Sequence, residues 1–309
     1  MSYHIVSIDA PEADLTCRDG QLVCITKGGA EAKRLPLEDI AAIIITSFSA
    51  RIHSHLFLEA ARQGVALVIC ERFQPISLLL PACRSSDTLL TRRHLTLSAS
   101  VRGKLWEKTI DAKCANQLAL AQRIAPDSPA TRDLAIAARA KTARKEGGCA
   151  KLFWDAFTEG LRIEGFARGR KLGGLNDLLN YGYAVLLSTV LQKLYGFGLD
   201  PTVGISHAIR ERSAPLAYDL MEPFRPCVDW RIYQWVKDRP HEEAFVVTTE
   251  FRRWVTGFSL EKVDYLGLDL DIRGVIEGVV RSFRQAVTME SVRPYRPWTW
   301  KNSKWAGLS

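Results

Sequence analysis

The stretch "GLNDLLNYGYAVLLSTVLQKLYGFG", residues 174–198, is apolar on nearly every face and contains no proline. A helix without a polar face must be covered on all sides, so this stretch predicts the central buried helix of a helical domain. Its neighbours carry the amphipathic period that such packing requires. "SVRGKLWEKTIDAKCANQLALAQRI" sets Leu105, Trp106, Ile110 and Leu118 at three-to-four spacing, and "SPATRDLAIAARAKTARKE" is rich in helix formers behind a Ser/Pro start. Further on, Ile272, Val275, Ile276, Val279, Val280 and Phe283 mark another amphipathic helix.

Upstream the period changes. "YHIVSI", "LTCRDGQLVCIT" around an Asp19-Gly20 turn, and "DIAAIIITS" are short β-rich runs. "SHLFLEAARQG" fits a helix ending at Gly64, followed by the strands "VALVICE" and "PISLLLPA". The pattern predicts an α+β protein in which a small N-terminal β-rich domain (residues 1–88) precedes a larger all-helical domain (89–290). "RSSDT", residues 84–88, reads as the linker, and the Pro-broken, basic, aromatic tail 291–309, with Trp298, Trp300 and Trp305, reads as a partly ordered arm. His53 and His55 alternate as a strand metal pair would, but a helix N-terminus near Ser54 explains them more simply.

The chain has 309 residues, 47% of them hydrophobic, enough for one large or two smaller cores. It has no run of about 18 apolar residues and no basic-then-apolar leader, which predicts a cytoplasmic protein without membrane spans. The seven cysteines (17, 24, 70, 83, 114, 149, 227) form no CxxC pair and read as reduced structural thiols. The net charge of +8 points to a polyanionic partner. Residues 89–175 alone hold 17 Lys and Arg against 8 Asp and Glu.

The chemistry gathers in "GISHAIRERSAPLAYDLMEPFRPCVD", residues 204–229. On a helix from Pro215 toward Pro223, Asp219 and Glu222 share one face, and His207 approaches from a Gly/Pro-rich turn. Two carboxylates and an imidazole suit Mn²⁺ and tolerate Mg²⁺, and the lack of thiolate argues against structural zinc. The ordinary alternative is a solvated helix face with Asp219 answering Arg210 or Arg212. Glu146, in "ARKEGGCAKLFWDAF", is a candidate third carboxylate because Gly147 and Gly148 let backbone come close. Beside a basic surface, such a set suggests metal-dependent phosphoryl transfer on nucleic acid.

"EGGCAKLFW", "NDLLNYGYAVL", "GLDPTVGISH" and "YDLMEPFRPCVD", in this order, resemble the CRISPR-associated spacer-acquisition integrases, the Cas-one family. "LPLEDIAAIII", "GVALVICE" and "LWEKTIDAKCANQ" extend the resemblance over most of residues 1–287, and "DLMEPFRP" is most similar to members that accompany type II systems. The resemblance implies that Glu146, His207 and Glu222 are ligands of Mg²⁺ or Mn²⁺, with Asp219 as a supporting acid. It implies attack by the 3′-OH of a captured DNA fragment on a phosphodiester at the leader-repeat boundary, without a nucleoside triphosphate. It further implies double-stranded DNA as substrate, a homodimer formed through the β domain, the companion Cas-two and, in type II systems, further adaptation proteins.

Within that frame Arg144, Lys145, Lys151, Arg168, Arg170 and Lys171 are expected phosphate contacts. Arg225 either holds a scissile phosphate or braces a carboxylate. Asn180 and Tyr181 lie on the helix expected beneath the site. The rival readings are a branched-DNA repair nuclease, a casposon-like transposase, which is expected to carry a further C-terminal DNA-binding domain, and a non-catalytic DNA-binding scaffold.

Overall fold

Alternation and turn chemistry build the N-terminal region of the computed structural model, which describes residues 4–8, 10–26, 33–71, 74–79, 85–140, 145–169, 172–207 and 214–300. Strands β1 (His4–Ile8), β2 (Asp14–Arg18), β3 (Gln21–Ile25), β4 (Lys33–Pro36), β5 (Ile40–Ile45) and β6 (Arg51–Ile52) are followed by helix α1 (Ser54–Arg62), β7 (Ala66–Glu71) and β8 (Gln74–Leu79). One sheet has the order β4-β3-β2-β6 and the other β1-β5-β7-β8. The β2–β3 hairpin turns at Asp19 and Gly20, both with positive φ (51° and 72°), the conformation that a two-residue hairpin loop demands. In β5, Ile43, Ile44 and Ile45 are all buried and pair in parallel with β1 and β7, as a continuous apolar run in a covered strand should. The helix expected from Ser54 is α1, which leaves His53 in the N-cap position.

The helical region consists of α2 (Ser85–Thr96), α3 (Ala99–Ile124), α4 (Pro129–Ala137), α5 (Lys145–Leu161), α6 (Leu175–Gly196), α7 (Pro215–Met221), α8 (Arg225–Val236), α9 (His241–Ala244), α10 (Thr249–Thr256) and α11 (Ile272–Thr288). Side-chain caps fix the starts of several: Ser98 accepts from Val101 N, Ser128 from Ala130 N, and Asp271 from Gly274 N. Helix α6 is the axis, with Leu178, Leu179, Leu186, Val190 and Leu194 fully buried. It packs against α7, α8 and α11 and against strands β5, β7 and β8, so the sheet and the bundle share it. Among the described residues no helix is long and apolar enough to cross a membrane, and six cysteines are free.

Four details depart from the sequence expectation. A short hairpin, β9 (Lys262–Tyr265) with β10 (Leu268–Asp271), interrupts the helical region. The expected linker is helical from Ser85, and the helical period expected to continue to residue 146 stops at Ala137. The expectation of a loose tail is corrected as far as residue 300: Tyr295, Trp298 and Trp300 are buried in the main core. A period detects one repeating face, whereas these residues are held by three bulky rings, each able to remove roughly 150–250 Å² from water. Tyr295 Oη meets Thr109 Oγ1 at 2.9 Å, and Trp298 stacks on Phe224 at 5.7 Å with the rings 7° from parallel.

Helix α6 approaches α8 at Gly182, where a Cβ would lie 2.5 Å from Val228 Cγ1 and 3.3 Å from Val255 Cγ2. We expect Gly182→Ala to lower stability in urea unfolding by about 1–3 kcal/mol despite alanine's better helix propensity. Unchanged stability would contradict this close packing.

Candidate active site

Proline and packing divide the acidic cluster in two. Helix α7 ends at Met221, and Glu222, Pro223 and Phe224 form a single 3₁₀ turn before α8 starts at Arg225. Asp219 and Glu222 therefore serve different neighbours, which corrects the expectation of one two-carboxylate platform. Asp219, fully buried, faces the loop before α7. Its Oδ2 accepts from the amides of Ile205 (2.5 Å) and Ser206 (3.1 Å), and its Oδ1 accepts from the His207 amide at 3.3 Å and meets His207 Nδ1 at 2.6 Å. The loop can wrap this closely because residue 204 is glycine: a Cβ there would lie 2.5 Å from His207 O and 3.1 Å from Asp219 Oδ2. Burial raises the Asp219 carboxyl above the ordinary Asp range, while the bonds from His207, Ser206 and Ile205 pull the other way. With Nδ1 turned to this carboxylate, Nε2 is the ring nitrogen left to act as a ligand. Trp106 lies edge-on to the His207 ring at 6.0 Å.

Glu222 points instead toward α3 and α5. Lys113 Nζ on α3 lies 2.7 Å from Glu222 Oε2 and 2.7 Å from Glu146 Oε1 on α5. Arg225 Nε donates to Glu222 Oε1 at 2.8 Å. Burial alone would push Glu222 up, yet Arg225 and Lys113 outweigh it and hold the carboxyl below the usual glutamate range. Burial likewise opposes the charge on Lys113, but Glu222 and Glu146 together raise its pKa above that of an ordinary lysine. Two carboxylates from distant segments thus converge on one cation. The expected bracing role of Arg225 is the one the geometry shows.

This arrangement fits a divalent cation. Both carboxylates present an oxygen to one point, and Glu222 Oε2, although in ionic contact with Lys113, makes no well-directed hydrogen bond there. The donors are the hard oxygens and imidazole that Mg²⁺ and Mn²⁺ accept. Among the described residues, however, His207, Glu146 and Glu222 do not form a ready group of three. The geometry joins the two glutamates through Lys113 and joins His207 to Asp219.

The expected phosphate contacts divide by environment. Lys145 pairs with Asp111 Oδ1 at 2.5 Å, while Lys151 is exposed on α5. Arg168 is held inward, donating to Asn176 Oδ1 and Asn180 Oδ1, each at 2.9 Å. Tyr181 packs edge-on to Phe251, so its place is in the packing around α6. Arg144, Arg170 and Lys171, like Cys83, Arg210, Arg212 and Trp305, lie outside the described residues. Sequence reasoning did not single out Lys113 or Asn116. The available signal was a polar pair three residues apart in "DAKCANQ", inside a helix otherwise reading as apolar on that side.

The family model described as "CRISPR associated protein Cas1" matches residues 6–261. The chain belongs to the Cas1 family. A relative named CRISPR-associated endonuclease Cas1, from Neisseria meningitidis serogroup C (strain 8013), is 32% identical over 64% of this chain and 66% of its own length. Among solved structures, a casposase bound to integration product superposes with a TM-score of 0.74 at 20% identity, covering 94% of this chain and 96% of the casposase. A chain of a partial Cas6-RT-Cas1–Cas2 complex gives 0.69 at 14% identity, covering 98% of this chain and 100% of that one. At these identities the two structures show a shared fold. Helix α3 packs against α5, which carries Glu146, against α7, which carries Asp219, and against the 3₁₀ turn that starts at Glu222.

Behind Arg225 lies a second buried acid. Asp229 Oδ1 accepts from Tyr183 Oη at 2.5 Å, and the Arg225 guanidinium sits 4.5 Å from the Tyr183 ring centre. Burial pushes the Asp229 carboxyl up to about 7, against the pull of the Tyr183 hydrogen bond and of Arg225. The folded state therefore keeps this proton after the unfolded chain, at 3.8, has released it. The contribution of Asp229 to stability should fall as pH rises from 3.8 to about 7 and level off above. Relative to wild type, Asp229→Asn should gain stability across that window in urea unfolding; a pH-independent difference would contradict the assignment. Lys113→Ala should cost roughly 1–3 kcal/mol, because it leaves one oxygen of buried Glu222 without its partner while Arg225 still holds the other. Glu222→Gln added to Lys113→Ala should recover part of that loss in the same assay.

Proposed function

We propose that this chain is a metal-dependent DNA integrase and endonuclease of CRISPR adaptation. The observation that carries the reading is the convergence of Glu146 and Glu222 on a single cation position, with a separate His207–Asp219 pair held by the loop before α7, in a chain of the Cas1 family. Glu146, Glu222 and the Nε2 atom of His207 would hold Mg²⁺ or Mn²⁺. When bound, the ion supplies Lewis-acid stabilisation of charge developing on phosphodiester oxygens.

The chain's own residues do the rest. Asp219 keeps the proton on His207 Nδ1 and so directs the lone pair of Nε2 outward. Arg225 and Lys113 keep Glu222 ionised and oriented. The reaction is an exchange: the 3′-oxygen of a DNA fragment forms a new P–O bond and gives its proton to solvent, while the target strand's P–O bond breaks and its released 3′-oxygen takes a proton from solvent. No triphosphate is needed, because one phosphodiester replaces another. Basic residues of α3 and α5, including Lys145 and Lys151, together with Arg144, Arg170 and Lys171, would contact duplex phosphates without reading sequence, whereas Arg168 is engaged by Asn176 and Asn180. Residues 1–88 would act as the dimerisation domain and 89–290 as the catalytic one. The working assembly is a homodimer with Cas2, in the cytoplasm where its DNA lies.

Strand transfer of a labelled duplex into a supercoiled plasmid bearing a repeat, with Mn²⁺ or Mg²⁺ and with or without Cas2, tests this. We expect joined product from wild type and none from Glu222→Ala or Glu146→Ala, while duplex binding persists. Cutting of branched DNA with no joining would favour a repair nuclease; joining independent of any repeat would favour a casposon-like enzyme; binding with no chemistry would leave a scaffold.

A further inference from the structure

Asn116 lies three residues after Lys113 on α3 and is fully buried. Its Nδ2 donates to Pro223 O at 2.7 Å and to Trp298 O at 3.2 Å, and its Oδ1 accepts from the Trp300 amide at 2.5 Å. Both carbonyls can only accept and the amide can only donate, so one orientation of the Asn116 amide satisfies all three groups. One side chain thereby ties together α3, the Glu222–Phe224 turn and the C-terminal segment.

Further contacts pin that segment in place. Lys108 Nζ donates to Tyr295 O at 2.9 Å, Tyr265 Oη to Arg296 O at 2.8 Å, and Trp298 Nε1 to Asp264 O at 3.1 Å. The Phe224–Trp298 stack joins it to the turn two residues beyond Glu222. The turn itself is weakly determined by local structure: α7 stops before it, Pro223 offers no amide hydrogen, and it has no side-chain cap. Its position must therefore come from what packs on it.

We propose that Asn116 and residues 295–300 form a clamp that sets the position of Glu222, making Asn116 a positioning residue for the metal-binding carboxylate. Lys113 grips the side chain of Glu222 while Asn116, on the same face of α3, grips the following peptide. The metal part of this inference rests on the function proposed above; the mechanical part does not.

The test uses the full-length protein as wild type, Asn116→Ala, Asn116→Asp and Glu222→Ala. Asn116→Asp retains an acceptor for the Trp300 amide but loses the donor to Pro223 O and Trp298 O, and serves if Asn116→Ala fails to fold. Three quantities are read: amide hydrogen exchange across residues 222–228 and 291–300, Mn²⁺ affinity by calorimetry, and kcat and KM for strand transfer. We expect both Asn116 variants to lose exchange protection in both segments together and to bind Mn²⁺ about 10–100-fold more weakly. Their kcat should fall while KM for DNA stays within about twofold, the signature of disturbed chemistry with intact substrate binding. Wild-type exchange across both segments overturns the clamp, and lost protection with wild-type Mn²⁺ affinity and kcat overturns the positioning role. If Glu222→Ala binds Mn²⁺ as wild type does, the metal reading fails instead, and the exchange data alone decide the clamp.

Discussion

One ammonium group organises the site. Lys113 Nζ lies 2.7 Å from an oxygen of Glu146 and 2.7 Å from an oxygen of Glu222, and three separate elements meet there: α3, α5 and the turn after α7. Two carboxylates brought this close, one of them buried, repel each other and lose hydration, so a cation between them is a condition of the fold as well as of the chemistry. Arg225 adds a second positive group on the far oxygen of Glu222. The site thus holds the Glu222 carboxyl below the usual glutamate range although it is buried, which favours the charged form that a divalent ion requires.

The histidine half follows a different principle. Asp219 is surrounded by the amides of residues 205–207, so a loop with no regular structure is held rigid by one carboxylate. That carboxylate also meets His207 Nδ1 at 2.6 Å. The two halves remain linked because α7 connects them: Asp219 sits within the helix, and Glu222 follows its end.

The sequence made the broad architecture legible for a physical reason: strand alternation and helical periodicity are local consequences of burying one face of each element. The strands around Asp19-Gly20, the apolar run of β5 and the central helix α6 were all readable in this way. The expectation of a loose tail after residue 290 failed because Tyr295, Trp298 and Trp300 are anchored singly, by a hydroxyl partner, a ring stack and a main-chain bond, none of which leaves a repeat. Asp219 and Glu222 were read as partners on one helical face, but spacing does not show which neighbours each carboxylate meets: Asp219 takes the loop amides and His207, and Glu222 takes Lys113 and Arg225.

By itself the sequence determined the candidate chemistry: acids and an imidazole without thiolates, in a basic chain whose motifs resemble one family. It also determined most elements, since each follows from neighbours along the chain. Only the tertiary structure decided that Glu146 and Glu222 meet, that Lys113 stands between them, that His207 answers to Asp219, and that Asn116 ties the Glu222 turn to the C-terminal segment. Those pairings join residues far apart in the chain, and their approach is set by how buried surfaces interlock, a property that no local period encodes.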